Sequence, residues 1–152
     1  MKQQDHTYKV SALGEGTVLD HLQAGTALRA LRVLALPEGT TVMVGVNLPS
    51  KRLAKKDIIK IEGYELTRKE AAKVALISPD ATLSIIRDYK LADKQGLKPP
   101  ERFRGLIKCP NPACIVHPEN VPGSFVVESS DPVTVHCEYC ERVITEDLFE
   151  FE

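Results

Sequence analysis

Residues 109–140, CPNPACIVHPENVPGSFVVESSDPVTVHCEYC, begin and end with a short cysteine pair and decide the fold of the last third of the chain. The first pair has four residues between its cysteines and the second pair has two. Short pairs let backbone amides wrap a metal-bound sulfur, and two such loops complete the tetrahedron of a structural zinc site. Because four thiolates leave no open coordination position, the spacing predicts one structural Zn2+ per chain, bound by Cys109, Cys114, Cys137 and Cys140.

Other interpretations of this cluster stay open at the level of sequence. Two disulfides are the alternative for an oxidising compartment, and iron can replace zinc between four thiolates. His117 and His136 lie beside the cysteines and are alternative ligands, although four cysteines already complete a tetrahedron. Short strands are predicted around the cluster at residues 103–108, 124–128, 133–136 and 142–144. Roughly the last 55 residues contain few apolar side chains and can therefore bury only a small core. Metal binding is expected to supply much of the folding free energy of this part of the chain.

Charge and composition divide the chain into two parts. Its 152 residues are 43% hydrophobic and 27% charged, the balance of a globular protein. Residues 1–97 carry 15 Lys and Arg against 11 Asp and Glu, whereas residues 98–152 carry 5 against 10 and hold every cysteine. Between them, DKQGLKPPE at residues 93–101 is polar and contains a double proline, which favours an extended connector. We therefore predict two domains, residues 1–97 and residues 98–152.

Several classes of function are disfavoured by what the sequence lacks. A net charge of −1 argues against a general nucleic-acid binder, and no apolar run approaches the ~20 residues of a membrane-spanning helix. The first ten residues, MKQQDHTYKV, have no apolar segment of a signal peptide, so we expect a cytoplasmic protein without a membrane partner. There is no phosphate-binding glycine loop, nucleophile elbow or paired-carboxylate signature, and we expect no catalytic residues.

The first hundred residues alternate between strand and helix patterns. Strands are predicted at residues 7–13, 40–47 and 57–62, with a fourth within 81–92. After the first strand, Asp20 is predicted to cap a helix whose apolar face is Leu22, Ala27, Leu28, Leu31, Leu34 and Ala35. A capping box at Thr67 and Glu70 predicts a second helix, which Pro79 ends. The order predicts an α+β protein with a ferredoxin-like βαββαβ domain, followed by a small, mostly β zinc-binding domain of zinc-ribbon or rubredoxin-like type.

Five motifs in register point to a known family. GTVLDH at 16–21, NLPS at 47–50, KDIIKIE at 56–62, CPNPAC at 109–114 and CEYC at 137–140 occur in this order. Together they resemble the regulatory chain of aspartate carbamoyltransferase from about residue 8 to residue 144. The resemblance implies a non-catalytic chain whose N-terminal domain senses the nucleotides CTP, ATP and, as a third candidate, UTP. It also implies a homodimer through the N-terminal domains and a zinc domain that docks on the catalytic chain, controlling pyrimidine biosynthesis.

The N-terminal part carries the groups that a nucleotide needs. Its separated cations, Lys9, His21, Lys56, Lys60 and Lys94, can hold phosphate oxygens, and a carboxylate such as Asp20 can accept ribose hydroxyl protons. The resemblance assigns Asp20 to the ribose, His21 to the phosphate side, Lys60 to ribose and base, and Lys94 to the phosphates. It also implies pocket positions at Val10, Ser11, Ala12, Leu13, Val18, Ser84, Ile86, Tyr89 and Leu91.

Two alternatives remain at this stage. Tyr89 is either a pocket residue or a core aromatic whose hydroxyl reaches the surface. The whole chain is either a regulatory subunit or a zinc-ribbon nucleic-acid-binding protein with a ligand-sensing N-terminal domain. The second function would depend on the basic residues Lys51, Arg52, Lys55 and Lys56, because the acidic C-terminal part repels phosphate backbones.

Overall fold

The computed structural model describes residues 12–152 as two β-rich modules joined by a short irregular segment. The elements are β1 (Gly16–Gln23), α1 (Ala27–Val33), β2 (Val42–Ser50), β3 (Ala54–Glu62), α2 (Arg68–Ile77), β4 (Thr82–Arg87), β5 (Lys90–Gly96), β6 (Arg102–Arg104), β7 (Ile107–Lys108), α3 (Val116–Glu119), β8 (Ser124–Ser130), β9 (Val133–Cys137), β10 (Val143–Thr145) and β11 (Glu150–Phe151). Within the described residues, no helix has the length and apolar character that spanning a membrane requires.

The N-terminal module is a five-stranded antiparallel sheet with two helices on one face. Its strand order is β2-β3-β1-β4-β5. Leu19, Ile59 and Leu83 point from three neighbouring strands toward Ala30 of α1 and Val74 of α2, and these five side chains belong to one buried core. The predicted α+β class and the ferredoxin-like order of elements are confirmed, with β5 added at the edge of the sheet.

The capping box that begins α2 forms as predicted. The backbone N–H of Glu70 donates to the Thr67 hydroxyl oxygen, and the Thr67 N–H donates to a Glu70 carboxylate oxygen, both at 3.1 Å. These two bonds satisfy donors that have no partner in the first turn of a helix. The helix ends at Ile77, two residues before Pro79.

The prediction for the segment around Asp20 is wrong. This segment is β1 rather than a break followed by a helix, and α1 is only seven residues long. Thr17 and Leu19 are buried while Val18 and Asp20 are partly exposed, and this period of two is that of a strand. Asp20 therefore caps no helix. The strand predicted at residues 7–13 falls mostly outside the described residues, and residues 12 and 13 lie in no strand.

The region predicted as one strand within 81–92 is a hairpin. Asp88 and Tyr89 form its two-residue turn with positive φ angles of 50° and 61°, the backbone of a type I′ turn. β5 then continues to Gly96, so the first half of the predicted connector is part of the sheet. β2 likewise extends to Ser50, three residues beyond the end predicted for this strand at Asn47.

The C-terminal module, residues 102–152, is built on a four-stranded sheet of order β10-β9-β8-β6 and a separate pair, β11-β7. Phe125, Val135 and Ile144 are completely buried in its core. Each of the four predicted strand regions contains a strand. Leu76 of α2 is also completely buried in this second core, so a helix of the first module contributes to the second.

Candidate functional site

Two tight loops bring the four cysteines together as a thiol cluster (Cys109, Cys114, Cys137 and Cys140). In the first loop the Cys114 N–H donates to the Asn111 carbonyl at 3.0 Å, and the Ala113 N–H donates to the Asn111 side chain at 3.1 Å. In the second loop, between β9 and β10, the Glu141 N–H donates to the Cys137 carbonyl at 2.7 Å. These turns orient the cysteine side chains of both loops toward one point.

The distances between sulfurs fit one metal ion. All four Sγ atoms lie within 4.8 Å of one another, with 3.7 Å between Cys109 and Cys140 and 3.8 Å between Cys114 and Cys137. Four thiolates about 2.3 Å from a tetrahedral ion lie about 3.8 Å apart. A disulfide needs a separation of about 2 Å, and the cysteines are free. The geometry therefore fits a four-sulfur metal site rather than two disulfides.

The two nearby histidines contact oxygen atoms outside the thiol cluster. The His117 Nε2 lies 3.0 Å from the Cys109 carbonyl oxygen, and the His136 Nδ1 contacts a Glu128 carboxylate oxygen. Neither ring belongs to the metal-ligating group found among the described residues. The alternative that a histidine replaces a cysteine ligand is therefore not supported.

The thiols of the cluster differ in their acidity. Burial raises the pKa of Cys109 and of Cys137. Burial acts in the same direction on Cys140, but hydrogen bonds from the Asn111 side chain and the Arg142 backbone outweigh it and lower the pKa of Cys140 to about 6. Cys140 is thus better prepared than Cys109 and Cys137 to bind as a thiolate, and a metal ion displaces the protons of those two.

The helix-free face of the N-terminal sheet collects most of the predicted nucleotide residues, and we call it the lysine face. Lys60 of β3 pairs with Val18 of β1, Val18 pairs with Ser84 of β4, and Ser84 pairs with Lys94 of β5. Directly paired residues project from the same side of a sheet, so these four form a row across four strands. On β1, β3 and β4 the buried residues Leu19, Ile59 and Leu83 point to the helices instead.

A polar cluster lies next to this row. The Lys56 Nζ is 2.8 Å from an Asp20 carboxylate oxygen, and the backbone N–H of His21 donates to the same carboxylate at 2.6 Å. Burial alone would raise the pKa of Asp20, but these two contacts lower it. The His21 Nδ1 is 3.2 Å from the Thr82 hydroxyl. The sheet therefore joins a fixed carboxylate, a lysine and an imidazole at one place.

The apolar candidates lie at the far end of the same face. Ile86 and Leu91 are paired directly, next to the β4–β5 turn. Tyr89 is 79% exposed in that turn, and its N–H donates to the Gly14 carbonyl at 2.9 Å, so the core-aromatic interpretation is wrong. Ala12 and Leu13 precede Gly14, whereas Val10 and Ser11 lie outside the described residues.

Sequence reasoning missed two polar residues of this region. Thr82 binds His21 from β4, and no motif marks it. Asp57 is completely buried beside Lys56, and the signal that was available is a carboxylate directly before the apolar run Ile58 and Ile59. A cleft of about 720 Å3 between α2 and the β4–β5 hairpin lies on the other side of the sheet, so it does not contain the lysine face.

Comparison with known proteins covers both modules. Residues 8–98 match the family model of the aspartate carbamoyltransferase regulatory chain, allosteric domain. Residues 101–150 match that of the metal binding domain of the same regulatory chain.

Individual relatives agree over nearly the full length. The aspartate carbamoyltransferase regulatory chain of Methanocaldococcus jannaschii is 46% identical over 93% of this chain and 95% of the relative. Those of Methanopyrus kandleri, 49% identical over 91% of both chains, and Pyrococcus furiosus, 46% identical over 91% and 93%, are similar. The chain therefore belongs to the family of aspartate carbamoyltransferase regulatory chains, non-catalytic subunits with an allosteric domain and a metal-binding domain.

Proposed function

We propose that this chain binds nucleoside triphosphates on the lysine face and transmits their presence to the catalytic chain of aspartate carbamoyltransferase through the C-terminal module. The candidate effectors are CTP, ATP and, as a third, UTP. The observation that carries the proposal is the row of Lys60, Val18, Ser84 and Lys94, with the Asp20–Lys56 pair beside it. Family membership supports an allosteric role for this domain.

Each side chain has a role that its chemistry allows. Lys94 is exposed on β5 and binds triphosphate oxygens as a point charge. Asp20, fixed by Lys56, accepts hydrogen bonds from ribose hydroxyls, and His21 lies on the phosphate side. Lys60, at the opposite end of the row from Lys94, contacts ribose and base. The base is walled by the apolar candidates: Val18, Ile86, Leu91 and Tyr89, together with Val10, Ser11, Ala12 and Leu13 of the N-terminal segment.

Calorimetry with CTP, ATP and the nucleoside cytidine tests the site. Lys94→Ala is expected to lower the affinity for CTP by about tenfold or more, because a charge-assisted hydrogen bond contributes roughly 1–3 kcal/mol. The affinity for cytidine, which has no phosphates, should stay nearly unchanged. Lys60→Ala is expected to lower the affinity for both ligands. The matched control is Lys90→Ala, because Lys90 lies on the same strand opposite Arg87 and points to the other side of the sheet. Equal losses of CTP and cytidine in Lys94→Ala would contradict the phosphate role.

The ion of the thiol cluster is Zn2+, one per chain, with a structural role. Four thiolates at tetrahedral spacing support zinc, and they leave no position for a substrate or a reactive water. Elemental analysis of the purified chain distinguishes zinc from iron.

The partners are a catalytic chain and a second regulatory chain, in the cytoplasm. The C-terminal module is acidic and exposes Ile115, Tyr139 and Val143 around the cysteine loops, which suits a basic or polar protein surface with apolar contacts. In the N-terminal module β2 is an edge strand with exposed Val44 and Val46, and pairing with a second copy would cover it. The acidic C-terminal module also disfavours the alternative of nucleic-acid binding.

Direct contacts between the two modules support a route for transmission. Arg29 of α1 donates to the Glu146 carbonyl, and its guanidinium lies 6.0 Å from the centre of the Phe151 ring. Lys73 of α2 contacts the backbone oxygen of Glu152, and Leu76 is buried in the second core. Both helices behind the lysine face therefore hold the last residues of the C-terminal module.

A further inference from the structure

Asp57 is a buried carboxylate that the roles given above leave unused. Its side chain is completely buried on β3, on the side of the sheet that carries the helices. Three backbone N–H groups donate to its oxygens: those of Gly25 at 2.9 Å, Ala27 at 3.0 Å and Asn47 at 2.9 Å. A buried carboxylate is tolerated only when such bonds replace its lost water, so this side chain is held by the segments on both sides of β3.

One of these segments is the beginning of α1. Thr26, at the N-cap position, does not cap the helix with its side chain, since its hydroxyl donates to the Gln23 carbonyl at 2.7 Å, and α1 has no acidic residue in its first turn. Asp57 supplies the missing acceptor to Ala27, the first residue of the helix, from 30 positions away in the sequence. A negative charge at this end of a helix is also favoured by the helix dipole.

Both strands next to β3 are irregular at the level of Asp57. The register of β1 shifts between Leu19 and Leu22, and that of β2 shifts between Gly45 and Leu48. The inserted residues His21 and Asn47 have positive φ angles of 56° and 57°, which cost free energy in residues other than glycine. Such bulges persist where their surroundings hold them, and Asp57 accepts the Asn47 N–H on one side and pairs with Leu22 on the other.

The bulge in β1 is what gives the lysine face two consecutive polar side chains. In a regular strand Asp20 and His21 would point to opposite sides of the sheet. Here the Asp20 carboxylate contacts Lys56, and His21 contacts Thr82 of β4. Thr82 is the residue that pairs with Asp20, so it projects from the same side of the sheet as Asp20. Both polar groups therefore serve the same face.

We propose that Asp57 is a positioning residue of the nucleotide site: it holds the start of α1 and the β2 bulge, and thereby the β1 bulge that presents Asp20 and His21. It touches no nucleotide, since it lies on the opposite side of the sheet. The inference rests on the proposed function of the lysine face.

Asp57→Asn tests it, because an amide of the same size has only one oxygen and places an NH2 group against a backbone N–H. We expect the CTP dissociation constant to rise at least tenfold, and the ring 15N signals of His21 to shift in NMR spectra of the chain without nucleotide. The control is Ala30→Gly, a buried change in the same helix at a residue that takes no part in the three hydrogen bonds of Asp57. It is expected to lower the melting temperature while leaving the CTP affinity and the His21 signals unchanged.

The outcomes separate two failures. A wild-type chain without affinity for CTP and ATP would refute the nucleotide site itself. If the wild type binds, an unchanged dissociation constant or unchanged His21 signals in folded Asp57→Asn would overturn the positioning role alone, as would an equal loss of affinity in Ala30→Gly. If Asp57→Asn does not melt cooperatively, the same comparison is made with Asp57→Glu, which keeps the charge and displaces the oxygens by one methylene.

Discussion

Glu70 shows how one side chain can hold both the first turn of a helix and the segment that precedes it. Besides closing the capping box, its Oε1 accepts a hydrogen bond from the Tyr64 hydroxyl at 2.7 Å. Burial would raise the pKa of Glu70, but the bonds from Tyr64 and Thr67 outweigh it, and the pKa is lower than the usual 4.5. The ionised form of Glu70 is therefore the one that stabilises the fold.

This predicts an acid-dependent loss of stability. A carboxyl group whose pKa is lower in the folded state contributes stability that is fully present above the unfolded value near 4.5 and is lost as the pH falls through the folded value. We expect Glu70→Gln to lower the free energy of unfolding by roughly 1 kcal/mol at pH 7 and by less at pH 3. Denaturant titrations at several pH values measure the difference. The control, Glu38→Gln in an exposed loop, should show no such change.

At this scale the sequence predicts what is local. Thr67 and Glu70 are three residues apart, and the short cysteine pairs are equally local, so their spacing alone indicates their roles. Asp57 could not be predicted as a cap, because its acceptor role depends on Gly25, Ala27 and Asn47, which only the folded sheet brings near it.

The β4–β5 hairpin was missed because its turn residues are unusual. Two-residue type I′ turns favour Asn-Gly, whereas here Asp88 and Tyr89 take the left-handed conformation. The β1 segment was missed for a different reason: Leu22 fits the helical spacing of Ala27 and the residues after it, but it also fits a strand with a bulge.

The turn predicts an unusual response to losing an aromatic side chain. Tyr89→Gly should change the free energy of unfolding by less than about 1 kcal/mol, because glycine relieves the positive φ and the ring is mostly exposed. If Tyr89 walls the base, the same variant should bind CTP more weakly. Thermal melting and calorimetry on one sample separate the two effects, and a large loss of stability would contradict this account of the turn.

The thiol cluster predicts a selective loss of structure. Cys114→Ser should remove the proposed zinc ion and unfold the C-terminal module, because metal binding is expected to supply much of the folding free energy of this module. The N-terminal sheet has its own core and should remain protected in hydrogen exchange. Ser130→Ala, an exposed change on β8, is the control and should retain one zinc per chain. Full zinc content in Cys114→Ser would exclude Cys114 as a ligand.

For the whole molecule, the charge asymmetry predicted two parts, but not how they touch. The double proline predicts an extended connector, whereas the contacts of Arg29, Lys73 and Leu76 join the two modules directly. None of these three contacts has a local sequence signal, because each joins residues more than 60 positions apart or depends on tertiary packing.

We therefore expect coupling to depend more on packing than on the connector. In the complex with the catalytic chain, Arg29→Ala should reduce the effect of CTP on enzyme activity severalfold while the CTP affinity of the regulatory chain stays nearly unchanged, since allosteric coupling typically amounts to ~1–3 kcal/mol. Arg32→Ala, an exposed change on the same helix, is the control. Replacement of Pro99 and Pro100 by glycine should preserve most of the effect of CTP on activity. A complete loss of this effect in that variant would show that coupling runs through the connector.

The placement of Leu76 has a consequence for how the protein must be produced. Its side chain is covered by the C-terminal module, although it belongs to a helix of the other one. A chain made where zinc is scarce would present this leucine and Ala72 to solvent beside an unfolded, cysteine-bearing tail. Such molecules would aggregate, and their cysteines would oxidise. The yield of folded subunit in an expression culture should therefore follow the zinc supply rather than the rate of synthesis.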